Sequence, residues 1–496
     1  MTELAELAAA RLRLFTEWDK DGDGRVWMWD VLSRLGQAGI DPLEPRVRAA
    51  LAGARDADGR PLEVGIDKQP AQIDFPEFAK IAEHGDGVIG RALGDELAVS
   101  HAEFAELRQS MERIYTDLLP NEEGAVADYI PTLRDADPDK FGIAICTADG
   151  QVFSIGDADA GFSVQSTSKP FSYAMALEQH GAEEVHRWVG QEQSGGTFND
   201  PRLSLDHDGK PKNPMINAGA IATLALVEPG LAETARFTEV KKTWERMMGA
   251  EPGSDTPTFL AERDTGHGNR GLANLMASRD MLRVDPRDRD APDKAAEFYF
   301  QVCSLQVDAK RLAAAGATLV NGGVGPYSGE RVFSQATSGQ VLAVMAHSGM
   351  YDGSGQFFGQ VGLPAKSGVS GNVMMVVPSK RLAVVVFSPR LDEAGNSVRG
   401  VEVCRRLVNE FGLHPYKGLG ADRGRGTSTA SRQVAGRGTA DRKADTAGAL
   451  QYALDGVRGP ATGSAPTGTS TAPAAGTAAS TAAATERTSP RPGHQL

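Results

Sequence analysis

The stretch Phe141-Gly-Ile-Ala-Ile-Cys146-Thr-Ala-Asp149-Gly150-Gln151-Val-Phe-Ser-Ile-Gly156 decides how the fold is read. Two apolar runs of strand length flank Asp149-Gly150, a dipeptide suited to the positive φ of a tight turn, so the runs pair as an antiparallel hairpin. A second hairpin lies near the other end of the body, where Asn372-Val-Met-Met-Val-Val377 and Arg381-Leu-Ala-Val-Val-Val-Phe387 flank Pro378-Ser-Lys380, with Val361 to Lys366 read as a strand before them. Past Asn396, the residues Val398, Val401, Cys404, Leu407, Val408 and Phe411 recur at three and four, the buried stripe of a helix. Strands at both ends around a helical middle predict an α+β fold rather than a doubly wound sheet.

Working outward, the globular body occupies residues 101–416. A helical segment, 1–94, precedes it, and a low-complexity tail rich in Gly, Thr, Ala, Ser and Pro, 417–496, follows. The tail has too few large apolar residues to offset the entropy of ordering it and is expected to be disordered, with Ala447 to Leu454 a candidate docking helix within it. The 52 basic and 65 acidic side chains give a net charge of −13, which disfavours nucleic acid and anionic lipid as partners. Three widely separated cysteines exclude a disulfide framework and a zinc cluster, and point to a reducing cytoplasm. The acidic start of the chain does not resemble a secretory signal, and the sequence holds no apolar run of the roughly 20 residues that span a bilayer. The expectation is a soluble cytoplasmic protein with no membrane partner.

Within the first segment, Asp19-Lys-Asp21-Gly-Asp23-Gly24-Arg25-Val26-Trp-Met-Trp-Asp30 places carboxylates at loop positions 1, 3, 5 and 12 and glycine at 6. This is the EF-hand pattern: hard oxygen ligands at alternate positions converge around calcium, with the Arg25 carbonyl among them. The candidate ligands are Asp19, Asp21, Asp23, Arg25 and Asp30, the last shorter than the usual glutamate. Val26 is placed to pair with a partner loop. Asp56-Ala-Asp58-Gly59 and Ile73-Asp-Phe75-Pro-Glu77 have the ends of a second, degenerate copy, read as empty. The segment is therefore expected to be an all-α, EF-hand-like domain.

Gln165-Ser166-Thr167-Ser168-Lys169 opens an apolar helix, so Ser166 and Lys169 share one face a turn apart. A serine becomes nucleophilic when a base takes its proton, and a lysine can be that base once burial leaves it neutral. The later Lys366-Ser367-Gly368 completes the S-x-x-K and K-[ST]-G pairing of the serine penicillin-recognising fold, in which the late strand lines the cleft opposite the serine. Backbone amides at Ser166 and Val369 could then hold the oxygen that turns negative when an amide is attacked. The pairing argues for acyl transfer.

These residues resemble the serine-dependent glutaminases, a family similar in fold to β-lactamases. The resemblance runs from Phe104 to Phe411. It rests on ordered blocks, among them Asn213-Pro-Met-Ile-Asn217, Glu262-Arg-Asp-Thr-Gly-His-Gly-Asn269, Tyr299-Phe-Gln-Val-Cys-Ser304, Gly349-Met-Tyr351-Asp-Gly and Gly362-Leu-Pro-Ala-Lys-Ser-Gly-Val369. It implies a β-lactamase/penicillin-binding-like domain with an antiparallel sheet flanked by helices and a helical subdomain. It also implies hydrolysis of L-glutamine to glutamate and ammonia, with no cofactor for catalysis, in a homo-oligomer. Ser166 is then the nucleophile, Lys169 its base and Tyr351 a proton relay. The substrate contacts implied are Tyr129, Ser166, Asn217, Glu262, Asn269, Tyr299, Tyr351 and the backbone of Val369. Three departures stand out: Thr167 for isoleucine, Ser370-Gly-Asn372 for a glycine-rich run, and an extended loop at Val284–Asp290. Two other readings use the same residues: a penicillin-reactive enzyme, and a calcium-responsive adaptor whose catalytic body is regulated or silent.

Overall fold

The structure, a computed structural model, describes residues 2–62, 71–194 and 204–417. The expectations for the low-complexity tail and its Ala447 segment fall outside the described residues.

Five helices, Thr2–Trp18, Met28–Gln37, Pro45–Leu51, Phe75–Ala82 and Val88–Leu93, gather around one apolar centre that includes Val31, Leu35, Ile81 and Ile89. The helix Met28–Gln37 buries Met28, Val31 and Leu35, the three-and-four spacing of an amphipathic face. Asp74 caps Phe75–Ala82 by accepting from the Glu77 amide, and Pro76 follows in the first turn, where no donor is lost. Two short strands, β1 (Arg25–Trp27) and β2 (Gln72–Asp74), pair antiparallel with Val26 opposite Ile73. Phe15 meets Phe75 and Phe78 edge to face beneath them.

Both predicted hairpins form: β3 (Gly142–Thr147) with β4 (Val152–Gly156), and β9 (Asn372–Val377) with β10 (Leu382–Phe387). Before these last two the chain forms a small three-stranded sheet from β5 (Phe162–Ser163), β6 (Gly253–Ser254) and β7 (Leu305–Val307), and then β8 (Ala365–Gly368). The main sheet is antiparallel throughout, in the order β4-β3-β10-β9-β8. The strand expected over 361–366 lies instead over 365–368. Gly362 has φ +71°, and Pro364 cannot donate to a ladder, so the extended run starts only after them.

Strand alternation divides the core in two. Ile143, Ile145, Val384 and Val386 face the helices His101–Leu118 and Val398–Glu410, while Ala144, Cys146, Ala383 and Val385 face the large helical half. On that second side the helix Ala309–Val320 lies close to the sheet because Gly316 leaves room: a Cβ there would come within 2.8 Å of Ala383. The helices Lys169–Trp188, Asn217–Leu226, Thr256–Thr265 and Ala291–Cys303 complete that half and carry most of the candidate site.

The first segment packs on the sheet edge. The Val152 amide of edge strand β4 donates to Gly39 O at 2.7 Å, Gln151 Nε2 donates to Ala38 O at 2.8 Å, and Arg46 donates to Asp149 O at 3.0 Å. These bonds cover part of a strand edge that would otherwise present unpaired groups.

Candidate active site

Ser166 lies in a single 3-10 turn, Gln165–Ser168, and the α-helix proper begins at Lys169 with Pro170 in its first turn. This modifies the expectation that one helix carries both residues, yet keeps them on one face. Gln165 enters the turn with φ +47°, a left-handed conformation that costs a residue with a side chain and is sustained by its surroundings. Lys169 Nζ ends 2.5 Å from Ser166 Oγ, and both side chains are buried.

From this pair a polar chain runs inward. Lys169 Nζ donates to Tyr299 OH at 3.1 Å, Tyr299 OH to Asn217 Oδ1 at 3.1 Å, and Asn217 Nδ2 to Asn269 Oδ1 at 3.0 Å. Each link comes from a different helix: Asn217 opens Asn217–Leu226, Asn269 lies in the first turn of His267–Ala277, and Tyr299 faces inward from Ala291–Cys303. A second branch joins Tyr129, which donates to Glu262 Oε1 at 2.7 Å, with the Gln165 side chain also bonding to Glu262. Tyr351, with φ +49°, places its phenol beside Ser166, close enough for the two side chains to interact. On β8 the Gly368 backbone abuts the Ser166 turn so closely that a Cβ would fall 2.9 Å from Val164 O, and Val369 follows it.

Burial sets the electrostatics. It lowers Lys169 to about 8, against the opposing pull of Cys303 and Glu262. It raises Glu262 to about 7, moderated by hydrogen bonds from Tyr129 and Gln165 and by Lys169. A second buried amine, Lys366, sits well below the ordinary lysine range through burial and the neighbouring Lys169. Burial also lifts the Tyr299 and Tyr351 phenols, so both stay protonated near neutrality. The setting thus offers a hydroxyl, a lysine with a neutral fraction near neutral pH, and one carboxylate inside a ring of amide and phenol groups.

The structure therefore brings together the nine residues expected at this site, Lys169 and the eight implied substrate contacts. It adds Gln165 and Cys303, which were given no role in the sequence reading, and places Lys366, read there only as part of the Lys366-Ser367-Gly368 motif, beside them. Cys303 touches the Tyr299 and Ser168 side chains, and burial pushes its thiol up to about 11. A helical spacing of four from Tyr299, and adjacency to Ser166 for Gln165, were the signals that could have found two of them.

In the acidic loop, Asp19, Asp21 and Asp23 bring carboxylate oxygens within 4.8 Å of one another. Asp19 Oδ2 accepts from the Gly24 amide at 2.9 Å, and Gly24 has φ +77°. Asp19 Oδ1 is shut off from solvent without a hydrogen-bond donor among the described residues. The Arg25 side chain turns away to Asp58 at 3.3 Å. Asp30 lies exposed in the first turn of Met28–Gln37 and is not part of that cluster, so the ligand set expected from the sequence is brought together only in part.

The antiparallel sheet, the helical half and this buried site define the class, an α+β hydrolase. The family model for Glutaminase matches residues 124–416, and the chain belongs to the glutaminase family. The glutaminase of Trichormus variabilis is 43% identical over 304 residues, covering 61% of this chain and 88% of that protein. The mouse protein named glutaminase liver isoform, mitochondrial, is 39% identical over 400 residues, 80% of this chain and 64% of the relative. Among solved structures, Mglu in its tris and glutamate form superposes with TM-score 0.58 at 39% identity, covering 63% of this chain and 68% of that one. The protein is a glutaminase by these relationships. Among the described residues no helix is long and apolar enough to cross a membrane.

Proposed function

We propose that the enzyme hydrolyses L-glutamine to L-glutamate and ammonia through a seryl acyl-enzyme. The observation that carries this reading is the 2.5 Å approach of Lys169 Nζ to Ser166 Oγ in a buried setting that lowers the lysine to about 8. Neutral Lys169 accepts the Ser166 proton as Oγ forms a bond to the side-chain amide carbon, and the carbonyl oxygen becomes an oxyanion held by the Ser166 and Val369 amides. The proton passes through Lys169 and Tyr351 to the departing nitrogen, the C–N bond breaks, and ammonia leaves a Ser166 ester. Water, losing its proton to the same pair, attacks that ester and releases glutamate with Ser166 restored.

Free glutamine differs from a glutaminyl peptide by its ammonium and carboxylate. Glu262, bracketed by Tyr129 and Gln165, is suited to the ammonium. Asn217, Asn269 and Tyr299 are suited to the carboxylate and to orienting the amide. The glutamate-bound form of Mglu supports this substrate class, since glutamate is the product of the proposed reaction. Ammonia release from L-glutamine by the purified protein tests the reading, with Ser166→Ala alongside. Turnover lost in a folded Ser166→Ala protein is the expected result, and a Ser166→Ala protein at wild-type rate would overturn the mechanism.

We also propose an EF-hand-like role for the first segment, with Asp19, Asp21, Asp23 and the Arg25 carbonyl holding calcium. The convergent carboxylates and the donorless Asp19 oxygen support it, and the ion would supply a hard positive centre joining the ends of the loop. Modulation of turnover by calcium, a homo-oligomeric state and a cytoplasmic location complete the proposal. Calcium titration of activity, the mass of the protein in solution and cell fractionation test them in turn. The mouse relative's name places that protein in mitochondria, so fractionation compares those two compartments.

A further inference from the structure

Three polar side chains hold the three consecutive carbonyls that lead into and through Tyr351. Lys366 Nζ donates to Gly349 O at 3.0 Å, Asn396 Nδ2 to Met350 O at 3.2 Å, and Ser354 Oγ to Tyr351 O at 2.6 Å. Ser354 Oγ also accepts from the Met350 amide at 3.0 Å. Between these anchors Tyr351 stands at φ +49°, a conformation that costs a residue with a side chain and needs surroundings that over-determine it.

Lys366 does more than hold one carbonyl. Its amine nitrogen lies over the Tyr351 ring, 4.4 Å from the ring centre, and its other acceptor is Ser367 O at 2.8 Å. The side chain is fully buried, and the partners seen for its amine are two carbonyls and a ring face rather than a carboxylate. An amine so placed is an expensive way to fill space, because burial penalises its charged form and an apolar side chain of similar length would pack at less cost. Gly349 O keeps the Ser367 amide as a second donor at 3.1 Å, so the turn does not depend on Lys366 for backbone satisfaction. What the lysine adds is a directed contact to the turn and to the face of the Tyr351 ring, whose phenol lies beside Ser166.

We infer that Lys366 is a positioning residue for the reaction: together with Asn396 it fixes the Gly349–Tyr351 turn and the Tyr351 ring so that the phenol stays beside Ser166. This rests on the proposed role of Tyr351 as proton relay. Lys366 does not touch the reacting atoms in this assignment and acts through Tyr351.

A double-mutant cycle on the full-length protein tests it. Tyr351→Phe, Lys366→Met and the double variant are assayed for ammonia release from L-glutamine, with kcat and KM separated and folding checked by thermal melting. Tyr351→Phe should lower kcat about tenfold or more. Lys366→Met should lower kcat by a comparable factor with KM within about twofold, and the double variant should be no slower than the slower single variant within about twofold. A slow Tyr351→Phe whose loss multiplies with that of Lys366→Met would overturn the inference alone. Tyr351→Phe at wild-type kcat would overturn the relay reading and this inference with it. Should Lys366→Met fail to fold, Asn396→Ala, which loosens only the Met350 carbonyl, takes its place in the same cycle with the same expected non-additivity.

Discussion

Tyr129 donates a 2.7 Å hydrogen bond to Glu262 across 133 residues of chain, fixing a buried carboxylate at the edge of the site. That carboxylate titrates at about 7 because burial outweighs the stabilisation it receives. An incoming ammonium would supply the missing counter-charge, so Glu262 should select free amino acids over acylated ones. Glu262→Gln keeps shape and removes charge. It should raise KM for L-glutamine by on the order of 10- to 100-fold, the span of a charged hydrogen bond worth roughly 1.5 to 3 kcal/mol, with a smaller change in kcat. A Glu262→Gln enzyme with unchanged KM would remove this contact from the proposal.

Tyr129→Phe leaves Glu262 charged but without one of its donors. Since that donor lowers the carboxyl pKa, its loss moves the titration above about 7. A larger fraction of enzyme then carries a protonated, non-binding Glu262 near neutrality, so the acid limb of kcat/KM should shift to higher pH. Steady-state rates between pH 6 and 8 would show the displacement, and superimposable limbs in the two proteins would count against it.

The pH dependence of wild type follows from two groups of the same sense. Glu262 must be ionised to bind ammonium, so affinity rises with pH through about 7. Lys169 must be neutral to accept the Ser166 proton, so reactivity rises through about 8. Both effects favour higher pH, and kcat/KM should climb from pH 6 to 9 until the substrate loses its own ammonium. Lys169 also links stability to pH. Its folded pKa is depressed, so the folded state gives up a proton that the unfolded chain keeps, and this contribution to stability grows as pH rises from about 8 towards the ordinary lysine value of about 10.4. Lys169→Met should flatten that part of the stability profile, measured by urea unfolding at several pH values, and should abolish turnover.

The run Ser370-Gly-Asn372 has a structural account. Ser370 Oγ donates to Ser163 O at 2.7 Å and accepts from Asn372 Nδ2 at 2.6 Å, tying the turn after Val369 to the strand that leads into Ser166. Ser370→Ala removes both bonds and leaves the Ser163 carbonyl and the Asn372 amide only their long 3.5 Å contact with each other, which should cost about 1 kcal/mol of stability. If the tie also sets the spacing of the Ser166 and Val369 amides, kcat falls while KM holds. A shift in the urea midpoint with kcat unchanged would limit the tie to stability.

Both hairpins were legible because apolar runs of strand length joined by short turns, Asp149-Gly150 in one and Pro378-Ser-Lys380 in the other, are local signals, and Ser166 and Lys169 were legible because four residues of sequence place them. The strand carrying Lys366 was displaced because its limits depend on Gly362 and on pairing with Asn372–Val377, which a window of sequence does not contain. Gln165 and Cys303 went unread because their importance is a matter of tertiary neighbours: Gln165 matters through Glu262, and Cys303 through Lys169 and Tyr299. The reliance of Tyr351 on Lys366 and Asn396 likewise joins segments whose proximity only the folded sheet reveals. In the acidic loop the reverse holds. The pattern predicted five ligands, but the fold gathers three carboxylates and leaves Asp30 exposed on the following helix.

That exposed aspartate gives the calcium proposal its sharpest test. A glutamate at the last loop position reaches the ion with both oxygens, and aspartate is one methylene shorter, so Asp30→Glu should tighten calcium relative to magnesium, while Asp19→Asn should weaken both. Isothermal titration with each metal alone measures the affinities. Bound calcium should also stabilise the folded chain, by about 2.7 kcal/mol at a hundredfold excess over Kd, because it binds the native loop and not the unfolded one. The loop leads through the helix Met28–Gln37 to Ala38 and Gly39, whose carbonyls receive Gln151 and the edge-strand amide of Val152. Stabilising the loop should therefore slow amide exchange at Val152 as well as within residues 19–30. Calcium heats that are absent in wild type and in Asp30→Glu would sink the site. Calcium binding that leaves Val152 exchange untouched would confine its effect to the first segment.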